Sequence, residues 1–326
     1  MNVSGFFRLI AAAVTVAATA ACAPKQTWHT ESGAVWGTTF HITYQSEGGK
    51  LTDSITEITE AIAESLSMFS PTSTVSRINA GLTDSADVHF RAVYAVAKKV
   101  AEASHGAFDP TVAPLVDLWG FGRGERDITG DPDSASIAAA LEKIGILRTT
   151  LEDSRISKAH SQTEFDFSAI AKGYGVDCIA DMLTRNGCIN YMVEIGGEIR
   201  VSGHSPRGSN WNIAVDAPVE GSLPGDSTLT VLSLTDCALA TSGNYRNYRQ
   251  SGADSVVGHT INPHTGYPAP RRILSATVIA PDCTLADALA TALMASHPDS
   301  AQTILSRFPS SRALIVLPDG KILTVD

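Results

Sequence analysis

Apolar residues fall at helical spacing in several stretches of the chain, beginning with Ile55, Ile58, Ile62, Leu66 and Phe69. Ser54 and Glu57 offer a capping box ahead of that stripe, and Pro71 ends it. Helices are also predicted over 88–104, stopped by Gly106, and over 134–144, stopped by Gly145. Val176, Ile179, Ala180 and Leu183 form another stripe, with Gly187 where a helix would stop, and residues 284–295 form a last one. Strand patterns appear at 38–44, in a short apolar run ending at Phe167, at Tyr191, Val193 and Ile195, at Trp211, Ile213 and Val215, and at 274–280. The chain closes as a hairpin, ALIVL and KILTV around Pro318-Asp319-Gly320. Residues 33–326 hold no repeat, linker or low-complexity tract, which predicts one compact α+β domain.

Composition narrows the function. Of 326 residues 44% are hydrophobic, enough for an ample core, and the formal net charge of -10 comes without any Lys/Arg run. A nucleic-acid partner needs a basic surface and is excluded on that ground. A small anionic ligand would need local cations or a metal. Arg8 precedes an apolar run, 9–21, too short to span a bilayer, so residues 1–21 read as a signal peptide and 22–32 as a tether. Cys22 after Thr19-Ala20-Ala21 resembles a bacterial lipoprotein signal, with Cys22 the lipidated residue, although Thr19 stands where leucine is usual. Cleavage near Ala20 with an unmodified thiol is the alternative. Either way the mature protein is expected in an exported compartment. Cys178, Cys188, Cys237 and Cys283 lack the close paired spacing of a zinc or redox site and read as small buried hydrophobes.

Several loops carry candidate chemistry. Asp166 to Asp177 reads DFSAIAKGYGVD, small residues and Lys172 at a helix start, where phosphate can approach backbone N–H groups. An ordinary strand–helix turn is the alternative. Asp287 and Thr291 are four apart on one helical face and suit a hard cation, magnesium above all, while Thr284 and Asp287 equally fit a capping box. HTINPHTG at 259–266 supplies His259 and His264, either able to act as a base near neutral pH or to sit in a polar turn. Thr241, Ser242 and Gly243 in ALATSGNYR could hydrogen-bond phosphate or form a turn. The stiff GAFDPTVAPLVDLWGFG segment at 106–122, with Phe108, Trp119 and Phe121, could clamp a planar ring or pack on the core, and Trp36-Gly37-Thr38 poses the same choice.

Trp36-Gly37-Thr38, SMFSPTSTVSRIN (67–79), GAFDPTVAPLVDLWGFG, DFSAIAKGYGVD, VEIGGEI (193–199), ALATSG, HTINPHTG and ADALAT occur in that order. Together they resemble the ApbE family of FAD:protein FMN transferases, many of them exported lipoproteins. The resemblance spans 33–326 and implies a mixed, largely antiparallel sheet flanked by helices. It also implies a reaction: FAD is split at its pyrophosphate, FMN passes to a threonine or serine hydroxyl of a target protein, and AMP is released. The targets implied are subunits of membrane electron-transport complexes. By the same resemblance the magnesium ligands are Asp287, Thr291 and a main-chain oxygen assigned to Ala171, and His259 is the base, with Lys172 as the catalytic cation. His264 receives no catalytic role. The flavin nucleotide is expected against Trp36, Ala107, Phe108, Asp109, Ser168, Lys172, Tyr174, Gly196, Gly197, Thr241, Ser242 and Gly243. Trp36 stands where the family commonly has methionine, which would reshape the ring pocket. A magnesium-dependent FAD pyrophosphatase and a non-enzymatic FAD-binding lipoprotein are the rival readings. An exported protein, lipid-anchored to a bacterial membrane and facing the periplasm, with the inner membrane favoured, completes the expectation.

Overall fold

A computed structural model describes residues 26–122, 130–223, 225–244, 248–251 and 255–326. The segment expected to be a signal peptide, Cys22 and the start of the expected tether lie outside the described residues. The remainder of the tether does not: Thr27–Val35 is β1, paired along its full length with β2, Thr38–Ser46. Its polar sequence hides a strand because most of it is exposed, and Glu31 anchors it from within. The Tyr44 hydroxyl donates to Glu31 Oε1 (2.6 Å), and the Thr52 hydroxyl donates to Glu31 Oε2.

The other elements follow in chain order. After β2 come α1 (Thr52–Leu66), α2 (Thr74–Asn79), α3 (Val88–Ala103), α4 (Ala113–Leu118) and α5 (Ser134–Leu141). The short hairpin of β3 (Thr149–Glu152) and β4 (Arg155–Lys158) precedes α6 (Ala171–Arg185). Strands β5 (Tyr191–Ile195), β6 (Glu198–Ser202), β7 (Trp211–Asp216), β8 (Thr228–Leu234), β9 (Cys237–Gly243), β10 (Tyr248–Ser251), β11 (Ser255–Gly258) and β12 (Ser275–Ala280) lead to α7 (Cys283–Ala295) and α8 (Ala301–Leu305). The chain ends with β13 (Arg312–Val316) and β14 (Ile322–Val325).

Eight strands make the main sheet in the order β1-β2-β5-β6-β9-β12-β13-β14, and each of its described ladders is antiparallel. Strand alternation sends Ala238, Ala240, Val278 and Ala280 to one face and Leu239 and Ile279 to the other. Helices α6 and α7 cover the first face, with α1 packed on α6 and α3 on α7. The β7–β8 hairpin covers the second, with Trp211, Ile213 and Val215 against Leu239 and Ile279. Cover on both faces buries all six residues of β12, the small polar Ser275 and Thr277 included.

Some local readings need correction. Ser54 lies inside α1 and makes no cap; the helix starts after Leu51, whose N–H donates to the Tyr44 hydroxyl (2.7 Å). Phe69 falls beyond the helix and is 75% exposed. The run ending at Phe167 joins no ladder, because its backbone bonds elsewhere: Phe165 exchanges two hydrogen bonds with the Asn79 side chain, and Asp166 N–H donates to Pro110 O. Asp282, not Thr284, caps α7 through Leu285 N–H (2.8 Å). Thr284 and the α7 N-terminus are instead held by the buried Asp177 of α6, which accepts from Cys283 N–H, Thr284 N–H and the Thr284 hydroxyl and pairs with Arg200. The four described cysteines are free; Cys188 and Cys283 are buried, Cys178 and Cys237 half-buried. Among the described residues no helix is long and apolar enough to cross a membrane.

Candidate active site

A cavity of about 620 Å³ opens where the start of α6, the β5–β6 turn, the end of β9, the α7 face and the loop after β11 converge. That is the size of a typical small-molecule site. It brings together most of the loops singled out in the sequence: Ala107, Phe108, Asp109, Ser168, Lys172, Gly196, Gly197, Thr241, Ser242, Gly243, His259, Asp287 and Thr291 all line it.

Its most charged corner is built on the contact between α6 and α7. Gly173 lets these helices touch: a methyl there would lie 2.8 Å from the Cys283 carbonyl carbon and 2.9 Å from Asp287 Cβ. Gly173 N–H donates to Asp287 Oδ2 (3.1 Å). Lys172 Nζ sits 2.8 Å from Glu198 Oε1 and 4.0 Å from Asp287 Oδ2. Burial alone would lower the Lys172 pKa, but the charges of Asp287 and Glu198 outweigh it and hold the ammonium ionised. Burial pushes Asp287 up, against the pull of Lys172 and the Gly173 N–H. Glu198 is pushed up to about 8, by burial first, opposed by Lys172 and reinforced by the Asp287 charge.

With both ionised, the two buried carboxylates facing one lysine would carry an excess negative charge, and Glu198 Oε2 has no hydrogen-bond partner. The hydroxyls of Ser242 and Thr291, 3.2 Å apart, stand on the same cavity wall. This oxygen-only donor set fits a hard divalent cation that keeps waters or phosphate oxygens in its remaining positions. Among the described residues no three His, Cys, Asp or Glu side chains cluster as a ready-made metal cage.

Glycine shapes the opposite wall. Gly196 and Gly197 both have positive φ, 61° and 101°. A side chain at Gly196 would crowd Thr38 at 3.0 Å and the Lys172 stem at 3.4 Å. Asp109 serves its own loop, accepting from Thr111 N–H (2.9 Å), the Thr111 hydroxyl (2.6 Å) and Ile146 N–H (3.1 Å). Ser168 donates to Asp166 (2.5 Å) at the exposed edge. The His259 ring stands 6.4 Å from that of Phe121, edge to face, within the lining.

The ApbE family matches this sequence over residues 36–315. The chain belongs to the ApbE family. Two curated relatives named FAD:protein FMN transferase are similar to it. The Haemophilus influenzae protein is 34% identical over 97% of this chain and 95% of its own length, and that of Vibrio cholerae is 38% identical over 81% and 80%. Among solved structures, the flavin transferase ApbE of Vibrio cholerae superposes with a TM-score of 0.81 at 33% identity, covering 93% of this chain and 98% of that one. The Pseudomonas stutzeri flavinyl transferase ApbE, in its apo form, gives 0.78 at 30% identity over 92% and 96%.

Three residues expected at the ApbE site fall outside the cavity lining. Trp36 turns away because it occupies the β1–β2 turn with φ 48°; its indole packs on Gly175 and donates to Thr59 O (3.2 Å). Tyr174 faces α3, its hydroxyl 2.9 Å from His89 Nδ1. Ala171 is the first residue of α6, so its carbonyl belongs to the helical ladder. Trp119 is likewise core, donating to Gly266 O (2.7 Å) rather than clamping a ring. Residues missed from sequence include Glu198, Met68 and Phe69, all in the lining. Glu198 was accessible in principle. A two-residue Gly-Gly turn sets it opposite the inward-facing Ile195, so it had to face inward too.

Proposed function

We propose that this chain transfers the FMN half of FAD to a threonine or serine hydroxyl of an acceptor protein, releasing AMP, with magnesium held by Asp287 and Thr291 beside Glu198. The observation that carries this reading is the convergence of Lys172 from α6, Asp287 and Thr291 from α7, and His259 from the loop after β11, three separate segments, on one cavity of dinucleotide dimensions. In the reaction the acceptor oxygen forms a bond to the FMN phosphorus while that phosphorus loses its bond to the bridging oxygen, which leaves with AMP. Lys172 places a fixed positive charge where the diphosphate must lie. A bound magnesium ion would add charge neutralisation at the bridge. His259 is suited to take the proton from the attacking hydroxyl, a weak nucleophile without a base. Gly196 and Gly197 leave the backbone open to the ligand, and Phe108 and Phe121 offer apolar surface for its ring system.

We further propose an exported, lipid-anchored protein whose acceptors belong to membrane electron-transport complexes. Its support is the sequence from Arg8 to Cys22 together with the family resemblance. The full reading is tested by incubating the purified protein with FAD, magnesium and a candidate acceptor domain, followed by intact-mass and peptide mass spectrometry. An FMN-sized adduct on one threonine or serine, with matching AMP, is expected. AMP release without any adduct would replace transfer by hydrolysis.

A further inference from the structure

Behind the loop that carries His259 lies a second cavity, of about 730 Å³. Ala107 and Ala295 line both cavities, so the two adjoin. The loop itself divides between them: Ile261 and Pro263 line the first, Asn262 and His264 the second. Their charges differ. The first is lined by seven carboxylates and one lysine, whereas the second holds Arg272, the imidazoles of His105, His264 and His297, and the lone carboxylate of Asp299. His297 Nδ1 accepts the Asp299 N–H at 3.3 Å, and the Asp299 carboxylate itself is exposed to solvent. Arg271 is paired with Glu220 at 3.2 Å, but among the described residues no carboxylate pairs with Arg272.

One further detail marks this groove. His105 follows the end of α3 with φ 53°, the left-handed conformation that a helix end ordinarily gives to glycine. Gly106, also left-handed, lies against the His264 ring, where a methyl would come within 3.3 Å of Cε1. His105 thus holds a backbone conformation commoner for glycine, and its imidazole lines the groove.

We infer that this groove receives the stretch of the acceptor protein flanking the modified hydroxyl, and that this stretch is extended and carries carboxylates. The inference rests on the transfer reading above. A hydroxyl reaching the first cavity past the His259 loop brings its chain neighbours with it, each advancing about 3.3 Å along an extended backbone. Those neighbours pass over the small Ala107 and Ala295 walls into the groove. With a net charge of -10, the protein as a whole repels an acidic partner, so recognition of one requires a local cationic patch. Arg272 offers a guanidinium fork for a carboxylate. A basic stretch would meet that guanidinium unfavourably and be drawn to the carboxylates of the first cavity, where it would compete with magnesium.

The test uses the full chain with FAD, magnesium and a pool of synthetic peptides, each with one central threonine and randomised flanks. Sequencing the flavinylated fraction should show Asp and Glu enriched about three- to tenfold on one side of the threonine. In Arg272→Glu that enrichment should vanish or invert toward Lys and Arg, and in Arg272→Ala it should weaken. For a single acidic peptide the loss should appear in KM with kcat retained. FAD binding, followed by flavin fluorescence, reports whether each variant has kept its fold. No acidic enrichment in the wild type, or the same enrichment in Arg272→Glu, would overturn the groove assignment alone. AMP release with no labelled peptide would overturn the transfer reading and the groove with it.

Discussion

Gly173→Ala probes the geometry on which the proposed chemistry depends. The added methyl would clash first with the Cys283 carbonyl oxygen and would sit 2.8 Å from its carbon, where ordinary contact begins near 3.4 Å, so α6 and α7 must separate locally by more than half an ångström. Backbone cannot yield as a flexible side chain would. The displacement falls between Lys172 on one helix and Asp287 on the other, and it stretches the Gly173 N–H bond to Asp287. A misplacement of about 1 Å can cost roughly a hundredfold in rate, so about tenfold is expected here. Overpacking costs about 1–3 kcal/mol, partly offset by the roughly 0.5–1 kcal/mol that alanine gains over glycine within a helix. A net loss of about 1–2 kcal/mol should lower Tm by roughly 2–3 °C in a domain of this size. AMP release from FAD, followed by chromatography, and thermal melting give the two readings. Gly48→Ala, whose methyl would meet nothing within 4 Å, is the matched control. A Gly173→Ala protein with a rate within about twofold of wild type and an unchanged Tm would refute the argument that this contact sets the Lys172–Asp287 spacing.

Four other perturbations follow from the same structure. Asp287→Asn should cut magnesium-dependent AMP release by about two to three orders of magnitude at low magnesium; a magnesium dependence unchanged from wild type would argue against a ligand role. His259→Ala should slow transfer by about two to four orders of magnitude, and a loss under threefold at neutral pH would remove it as the base. Trp36→Ala should lower Tm, because the ring packs on Gly175 and α1, while leaving the FAD dissociation constant within about twofold; a large loss of FAD affinity without a change in Tm would put the indole back in the site. In metal-free buffer Glu198 should make stability fall as pH rises. Its folded pKa of about 8 lies above its ordinary 4.5, so the folded state binds the extra proton and the contribution, full below about 4.5, is lost through that window. Melting curves from pH 5 to 8 should show this slope flattened in Glu198→Gln, and identical slopes in the two proteins would contradict it.

Much of the fold was legible because its signals are local. The stripe at Val176, Ile179, Ala180 and Leu183 and the left-handed Gly187 marked α6 and its end, and alternation at Tyr191, Val193 and Ile195 marked β5. What failed depended on distant partners. β1 shows no apolar alternation because its stabilising contact is a buried glutamate bonded to Tyr44 and Thr52. The Phe165–Phe167 run looks like a strand, yet Asn79, more than 80 residues earlier, satisfies its backbone. In the site, the loops converge as their residue types suggested, but Trp36 and Tyr174 show the limit. A side chain's direction depends on its own backbone angle or on which helix packs beside it, and neither is written in the residue type.

The cavity draws on residues from Met68 to Ala295, and the sheet that supports α7 is completed by β13 and β14, which follow them in sequence. A nascent polypeptide therefore holds no competent centre until α7 and the strands after it have been made. Nor does one held unfolded by a chaperone. Cellular FAD is safe from an unfinished copy, and a prematurely terminated one is inert rather than misdirected.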